Sequence, residues 1–282
     1  MVRRKALFVG VGAVIAFFGV MWALSLGGYP GGPDECIARG DCYCEAIGPG
    51  VDAQPANAWS NLGFVAVGLL VLGASGRRRS GSGRMSVDDR YPALYGAIAV
   101  FLGLGSFAFH GSMRAWGGFL DVQSMHAFLA FILAYDLARI HDGAWRWFLA
   151  WYATLLTFFT LLIALVPPEH GRTLFGVFVI VTLGVEAAVS YPALRPWAPR
   201  RLDPRRMPWF WAGLGSFAVA FVVWNLSRDA GPWCEPDSLL QGHALWHLLS
   251  AVSVVCFYRY FLGEGEPPAA DQTSVSQSTA TS

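Results

Sequence analysis

The sequence predicts an all-α, polytopic membrane protein: a bundle of seven transmembrane helices preceded by an N-terminal signal-anchor helix. Three observations carry this. Hydrophobic residues make up 55% of the 282 residues and charged residues only 14%, against roughly a quarter charged in a soluble domain. The apolar residues come in long blocks, eight of which approach the ~20 residues that a helix needs to cross a ~30 Å hydrocarbon core. Tryptophans gather near block ends, at Trp59, Trp116, Trp145, Trp209 and Trp233, where an interfacial aromatic belt sits.

The first block, at 7–27, follows Arg3-Arg4-Lys5, a charge pattern common to signal peptides and signal anchors. Its apolar run is longer than a signal-peptide core, and Ser25-Leu26-Gly27 is a poor cleavage site. We therefore read residues 1–28 as a retained signal-anchor helix. Residues 29–55 form a cysteine-containing segment. The membrane domain, 56–262, holds spans at 56–75, 91–110, 117–138, 146–166, 173–191, 208–226 and 241–262. Pro167-Pro168 closes the 146–166 span, because proline brings no amide proton and stops a helix. Residues 263–282, rich in Ser, Thr, Pro and Ala without apolar periodicity, read as a disordered tail. No internal repeat is visible.

Basic residues orient such a bundle. Of the 20, only Arg39, Arg114, Arg172 and Arg228 fall on one set of loops, and the other sixteen on the opposite set. The arginine-rich face, with the C-terminus, is read as cytoplasmic and the other as extracytoplasmic. Cys36, Cys42, Cys44 and Cys234 all fall on the extracytoplasmic side, where disulfides persist. Four cysteines pair in three ways, and the sequence does not choose among them. Cys256 lies inside the last span as a small buried residue. A net charge of +1 and the lack of a phosphate-binding glycine loop leave no nucleic-acid or nucleotide function.

Ionisable side chains within spans cost about 2.5–3.5 kcal/mol at the helix centre, so each needs a reason. His110 closes the 91–110 span, Asp121 stands just inside the next, and His243 and His247 open the last. The alternating topology brings all four to one depth on the extracytoplasmic side. His243 and His247, four apart, share one helix face. Two imidazoles there and a third from another helix make a three-nitrogen site with a fourth position open to water, the arrangement of catalytic zinc. Ser106, four residues before His110, shares its face, and Asp121 stands where it can orient or deprotonate bound water. His126 reads as a hydrogen-bonded packing residue, His141 and His170 as solvated loop residues, and Asp136 as an interfacial charge. Glu186, deep in its span, has no assigned role beyond pairing with a polar neighbour.

The set Ser106-x3-His110, Asp121 and His243-x3-His247 resembles the alkaline ceramidase family and the wider superfamily that includes the adiponectin receptors. Gln54-Pro55-Ala56-Asn57-Ala58-Trp59-Ser60-Asn61 is similar to the segment opening the first core helix of those enzymes. The resemblance covers roughly residues 42–261. It implies a seven-helix bundle, Zn2+ held by His110, His243 and His247, Asp121 as proton acceptor and Ser106 as oxyanion donor. The implied reaction is amide hydrolysis of a ceramide-like membrane lipid. The family also links a cysteine before the first core helix to one before the last, which implies Cys44–Cys234, with Cys36–Cys42 as the remaining pair. Eukaryotic members carry a calcium site in an Asp-Trp-Cys-Glu motif with a later Asn and Glu. Here the stretch reads Cys42-Tyr43-Cys44-Glu45, with Gln54 in place of the later Glu. Only Glu45 is in register, with Asp41 and Asp52 nearby, whereas calcium takes several hard oxygen ligands. Competing readings are a related lipid esterase or phospholipase, and a lipid receptor whose zinc is structural.

Overall fold

The computed structural model describes residues 2–76, 83–141, 143–167, 170–190 and 207–264. Pro168, Arg77-Arg78-Arg79, the arginines of 195–206 and residues 265–282 of the expected tail lie outside the described residues. Among the described residues the secondary structure is helical, with one isolated bridge between Pro33 and Arg114. Eight helical spans are long and apolar enough to cross a membrane. The protein is an all-α, multi-pass membrane bundle.

The first span is helix α1 (Val2–Leu26), which lies outside the bundle against α4 and α6 and buries little of itself. A short helix, α2 (Glu35–Arg39), follows. The next span is broken at Asn61 into α3 (Pro55–Ser60) and α4 (Leu62–Ala74). Pro55 opens α3 at a position where its missing amide proton costs nothing. After the one-turn α5 (Arg84–Val87) come the central helices α6 (Arg90–Ser112) and α7 (Ala115–Ile140). Only Met113 and Arg114 separate them, and Met113 turns the chain in the left-handed region at φ 50°. Helices α8 (Trp145–Leu165) and α9 (Gly171–Ser190) pack outside, and α10 (Met207–Leu226) lies along α11 (Gly242–Phe261).

Glycine sets the spacing of α6. A Cβ on Gly103 would stand 2.7 Å from Asn61 O, and one on Gly105 2.7 Å from Leu120 O. Both neighbours are backbone, so α6 touches α4 and α7 main chain to main chain, as small residues permit in membrane bundles. That closeness places Ser106 and His110 directly against their neighbours.

The chain from 29 to 54 lies across one end of the bundle, bridging Cys36–Cys42 within itself and Cys44–Cys234 to the segment before α11. Backbone bonds tie it down: Ala53 N–H to Gly111 O and Gln54 N–H to His110 O, both at 3.0 Å. Glu45 caps α3, its two carboxylate oxygens accepting from Ala56 N–H (2.7 Å) and Asn57 N–H (2.8 Å). Burial pushes the Glu45 carboxyl up, against the downward pull of those two amides. Asp34 caps α2, accepting from Cys36 N–H at 2.9 Å.

The far end of the bundle corrects two expectations. Asp136 is not an interfacial charge: it is fully buried and accepts from Arg139 Nη1 at 2.9 Å. The same nitrogen reaches both oxygens of Glu186 at 3.0 Å, and Tyr260 donates to Glu186 at 2.6 Å. The expected tail also begins too early, because Glu264 is buried and pairs with the buried Arg84 at 2.8 Å, with the Tyr135 hydroxyl donating to it. Each departure has one cause. Arginines assigned to a solvated loop, Arg84 and Arg139, instead enter the low-dielectric interior, where they require carboxylate partners. Arg139→Ala strands Asp136 and Glu186 without their cation. The expected cost is about 3–5 kcal/mol, read as a lowered midpoint of thermal unfolding in detergent.

Candidate metal centre

His110 comes from the last turn of α6, and His243 and His247 from the first turns of α11. All three are buried, and one ring nitrogen from each lies within 4.8 Å of the other two. Hydrogen bonds at the back of two rings decide which nitrogen each presents. Gln54 donates its amide protons to Tyr43 O (3.1 Å) and Glu45 O (2.7 Å). Its Oε1 is therefore left to accept from His110 Nδ1–H at 2.8 Å. His247 Nδ1 lies 3.1 Å from Asn57 O, which can only accept. Ser60 gives its own proton to Asn57 O (2.8 Å) and receives from the same Nδ1 (2.8 Å). Both rings thus carry their proton on Nδ1 and turn a bare Nε2 inward.

His243 differs. Its Nδ1 has no partner, its ring stacks on Tyr43 at 3.7 Å between centroids, and its Nε2 stands 3.2 Å from His110 Nε2. Zinc–nitrogen bonds of about 2.0–2.1 Å at a tetrahedral angle separate two ligand nitrogens by about 3.4 Å, so that spacing suits a shared cation. Three imidazoles with two tautomers pre-set by outer partners fit a borderline-soft divalent metal.

The other expected residues fall beside the cluster. Ser106 Oγ lies 3.4 Å from His247 Nε2 and faces the buried carboxyl of Asp121. Asp121 stands one turn after Gly118, against which the Asp34 carboxyl packs. Burial raises the Asp34 carboxyl above the usual carboxylate range. The positions nearest the family's calcium motif are otherwise engaged, with Glu45 on the α3 amides, Asp41 on Arg39 and Asp52 on Trp59 Nε1–H. His126 bonds Val122 O through Nδ1 at 2.8 Å amid Phe159, Phe175 and Phe178, as a packing residue does. His141 and His170 are exposed.

A cavity of about 120 Å³ runs from this cluster into the bundle. His243, His247, Ser106 and Asp121 line one part of it. Phe128, Ile132, Phe257 and Phe261 line another, with Glu186 also on the wall. Helices α9 and α10 each contribute to the lining.

The Ceramidase family model matches residues 50–263. The chain belongs to the ceramidase family. No individual curated protein matches it. Membership points to ceramide hydrolysis and to a lipid as substrate, and the matched region contains all three histidines, Ser106 and Asp121. Gln54, Asn57 and Ser60, which hold the imidazoles from behind, have no assigned role in the sequence reading. Their signal lay in the 54–61 motif itself, where polar side chains recur inside the start of a span. Gln54→Ala frees the His110 ring to change tautomer and rotate. Loss of an outer partner of this kind lowers metal affinity roughly 10–100-fold, measurable by competition with a chromophoric chelator.

Proposed function

We propose that this ceramidase-family chain is a zinc-dependent intramembrane amidase that splits ceramide-like lipids into a sphingoid base and a fatty acid. The observation that carries the proposal is the convergence of three buried imidazoles, two of which line an apolar cavity that also holds Ser106 and Asp121. In this reading His110, His243 and His247 hold the metal. Zinc, when bound, supplies a Lewis acid that polarises the amide carbonyl and makes water acidic near neutral pH.

The chain's own groups carry the rest. Asp121 takes the proton of the attacking water as the new C–O bond forms. It returns that proton to the amide nitrogen as the C–N bond breaks, so the base leaves as a neutral amine. Ser106 donates its hydroxyl to the carbonyl oxygen while negative charge gathers there. The aromatic and aliphatic walls keep bulk water away and take up the hydrocarbon chain, which passes from one apolar medium to another. Between Asp121 and Ile132 the cavity follows α7 for roughly 16 Å, at 1.5 Å per residue.

The same reading sets the chain in its membrane. The sparsely basic face, with the disulfides and the histidines, is extracytoplasmic, and the C-terminus is cytoplasmic. Residues 1–28 anchor, 29–55 cover the site, and the catalytic bundle runs from 56 to the buried Glu264.

His110→Ala or His243→Ala is expected to abolish stoichiometric zinc, measured by elemental analysis of the purified protein. A variant that keeps full zinc overturns the ligand set. Asp121→Asn is expected to keep the metal and lose roughly 10²–10⁴-fold in turnover, followed as fatty acid release from ceramide; unchanged turnover removes Asp121 from the mechanism. Incubation with ceramide and phospholipid, with and without chelator, separates an amidase from an esterase. Stoichiometric zinc without turnover of either lipid identifies a receptor.

A further inference from the structure

Hydroxyls in these membrane helices are satisfied locally. Ser112, Thr160, Thr182 and Ser227 each donate to the carbonyl four residues back, at 2.6–2.7 Å. Ser216 and Ser253 donate across the α10–α11 contact, to Leu249 O and Gly213 O. Ser250 does neither. It is 7% exposed, its Oγ has no partner, and it lines the cavity one turn beyond His247.

Trp224 is the second such group. Its residue is 8% exposed and its Nε1–H has no acceptor, yet it lines the same cavity. The indole nitrogens of Trp59 and Trp116, by contrast, donate to Asp52 (2.7 Å) and Pro30 O (3.0 Å). Trp224 is held against Trp246 at 5.0 Å between ring centroids, and Ser250 follows Trp246 by four residues on the same face of α11. Both residues line the cavity that His243 and His247 also line.

A buried polar atom without a partner is costly, and two in one apolar cavity call for a ligand that completes them. Their chemistry restricts that ligand. An indole N–H only donates and needs an acceptor, whereas a serine hydroxyl gives and receives. An acyl chain offers neither. An anionic head, carboxylate or phosphate, would meet the Asp121 carboxyl on the same wall. A neutral hydroxyl satisfies both groups without that repulsion.

We propose that Trp224 and Ser250 form a polar subsite that binds the hydroxyl groups of a long-chain base and so positions the neighbouring amide at the metal centre. This deepens the amidase reading and rests on it for the identity of the amide. The subsite selects lipids with a hydroxylated, uncharged head over diacyl phospholipids of the same chain length.

The test uses the metal-loaded full chain in detergent, titrated with a long-chain 2-amino-1,3-diol and its 1,3-dideoxy counterpart, neither of which has an amide to cleave. Native protein is expected to prefer the diol by roughly ten-fold, about the worth of one hydrogen bond. Trp224→Phe, which keeps the ring but loses the N–H, and Ser250→Ala are each expected to erode that preference while leaving the dideoxy affinity and the zinc content unchanged. No preference in the native protein, or one that survives in both variants, overturns the subsite whether or not ceramide is hydrolysed. A preference that depends on Trp224 in a protein that leaves ceramide intact supports the subsite and overturns the amidase reading instead.

Discussion

The candidate metal centre depends on the direction of one hydrogen bond. Gln54 spends both amide protons on the carbonyls of Tyr43 and Glu45, so its oxygen has only one way to face His110. The imidazole is then compelled to carry its proton behind and its lone pair in front. The mirror arrangement, with the proton on Nε2, would put two acceptors, Nδ1 and the Gln54 oxygen, against each other and turn no lone pair toward the other two histidines. Because Gln54 also receives the backbone of the covering segment, the same residue that sets the tautomer fastens the cover. Position and protonation of His110 are thereby one constraint.

Most of the architecture was legible in the sequence. The span count, the shared depth of His110, Asp121, His243 and His247, and the common face of the last two all follow from helical periodicity and connectivity. Those are local or topological quantities, and one chain contains them. The fate of Arg139 and Arg84 was not legible, because an arginine near a span end reads the same whether it snorkels to the interface or turns inward. Only the third partner decides, and Glu186 and Glu264 lie far away in the chain. The break at Asn61 was hidden for the opposite reason: residues on either side of it are apolar enough to read as one span. The outer partners of the histidines were in view as a motif but had no role until the rings they hold were placed.

The two ends of the bundle solve the burial of polar groups in different ways. At the far end, Arg84 and Arg139 are matched by Glu264, Asp136 and Glu186, with Tyr135, Ser190 and Tyr260 filling further valences. That end is nearly complete in itself and holds α7, α9 and α11 in register. Around the histidines several polar atoms have no partner, among them His243 Nδ1, Trp224 Nε1 and Ser250 Oγ on residues that line the cavity. Residual hydrogen-bonding capacity of this sort is tolerated where function needs it, and a self-satisfied far end lets the bundle bear the cost.

The disulfide between Cys44 and Cys234 spans 190 residues of sequence, and this separation imposes an order on biosynthesis. During synthesis Cys44 emerges early but has no partner until residue 234 has been translated. Tyr43, next to it, stacks on His243, which follows the second cysteine closely. The bridge therefore forms late and draws the first and last parts of the centre together in one event. Before residues 243 and 247 have been translated, the three histidines cannot meet.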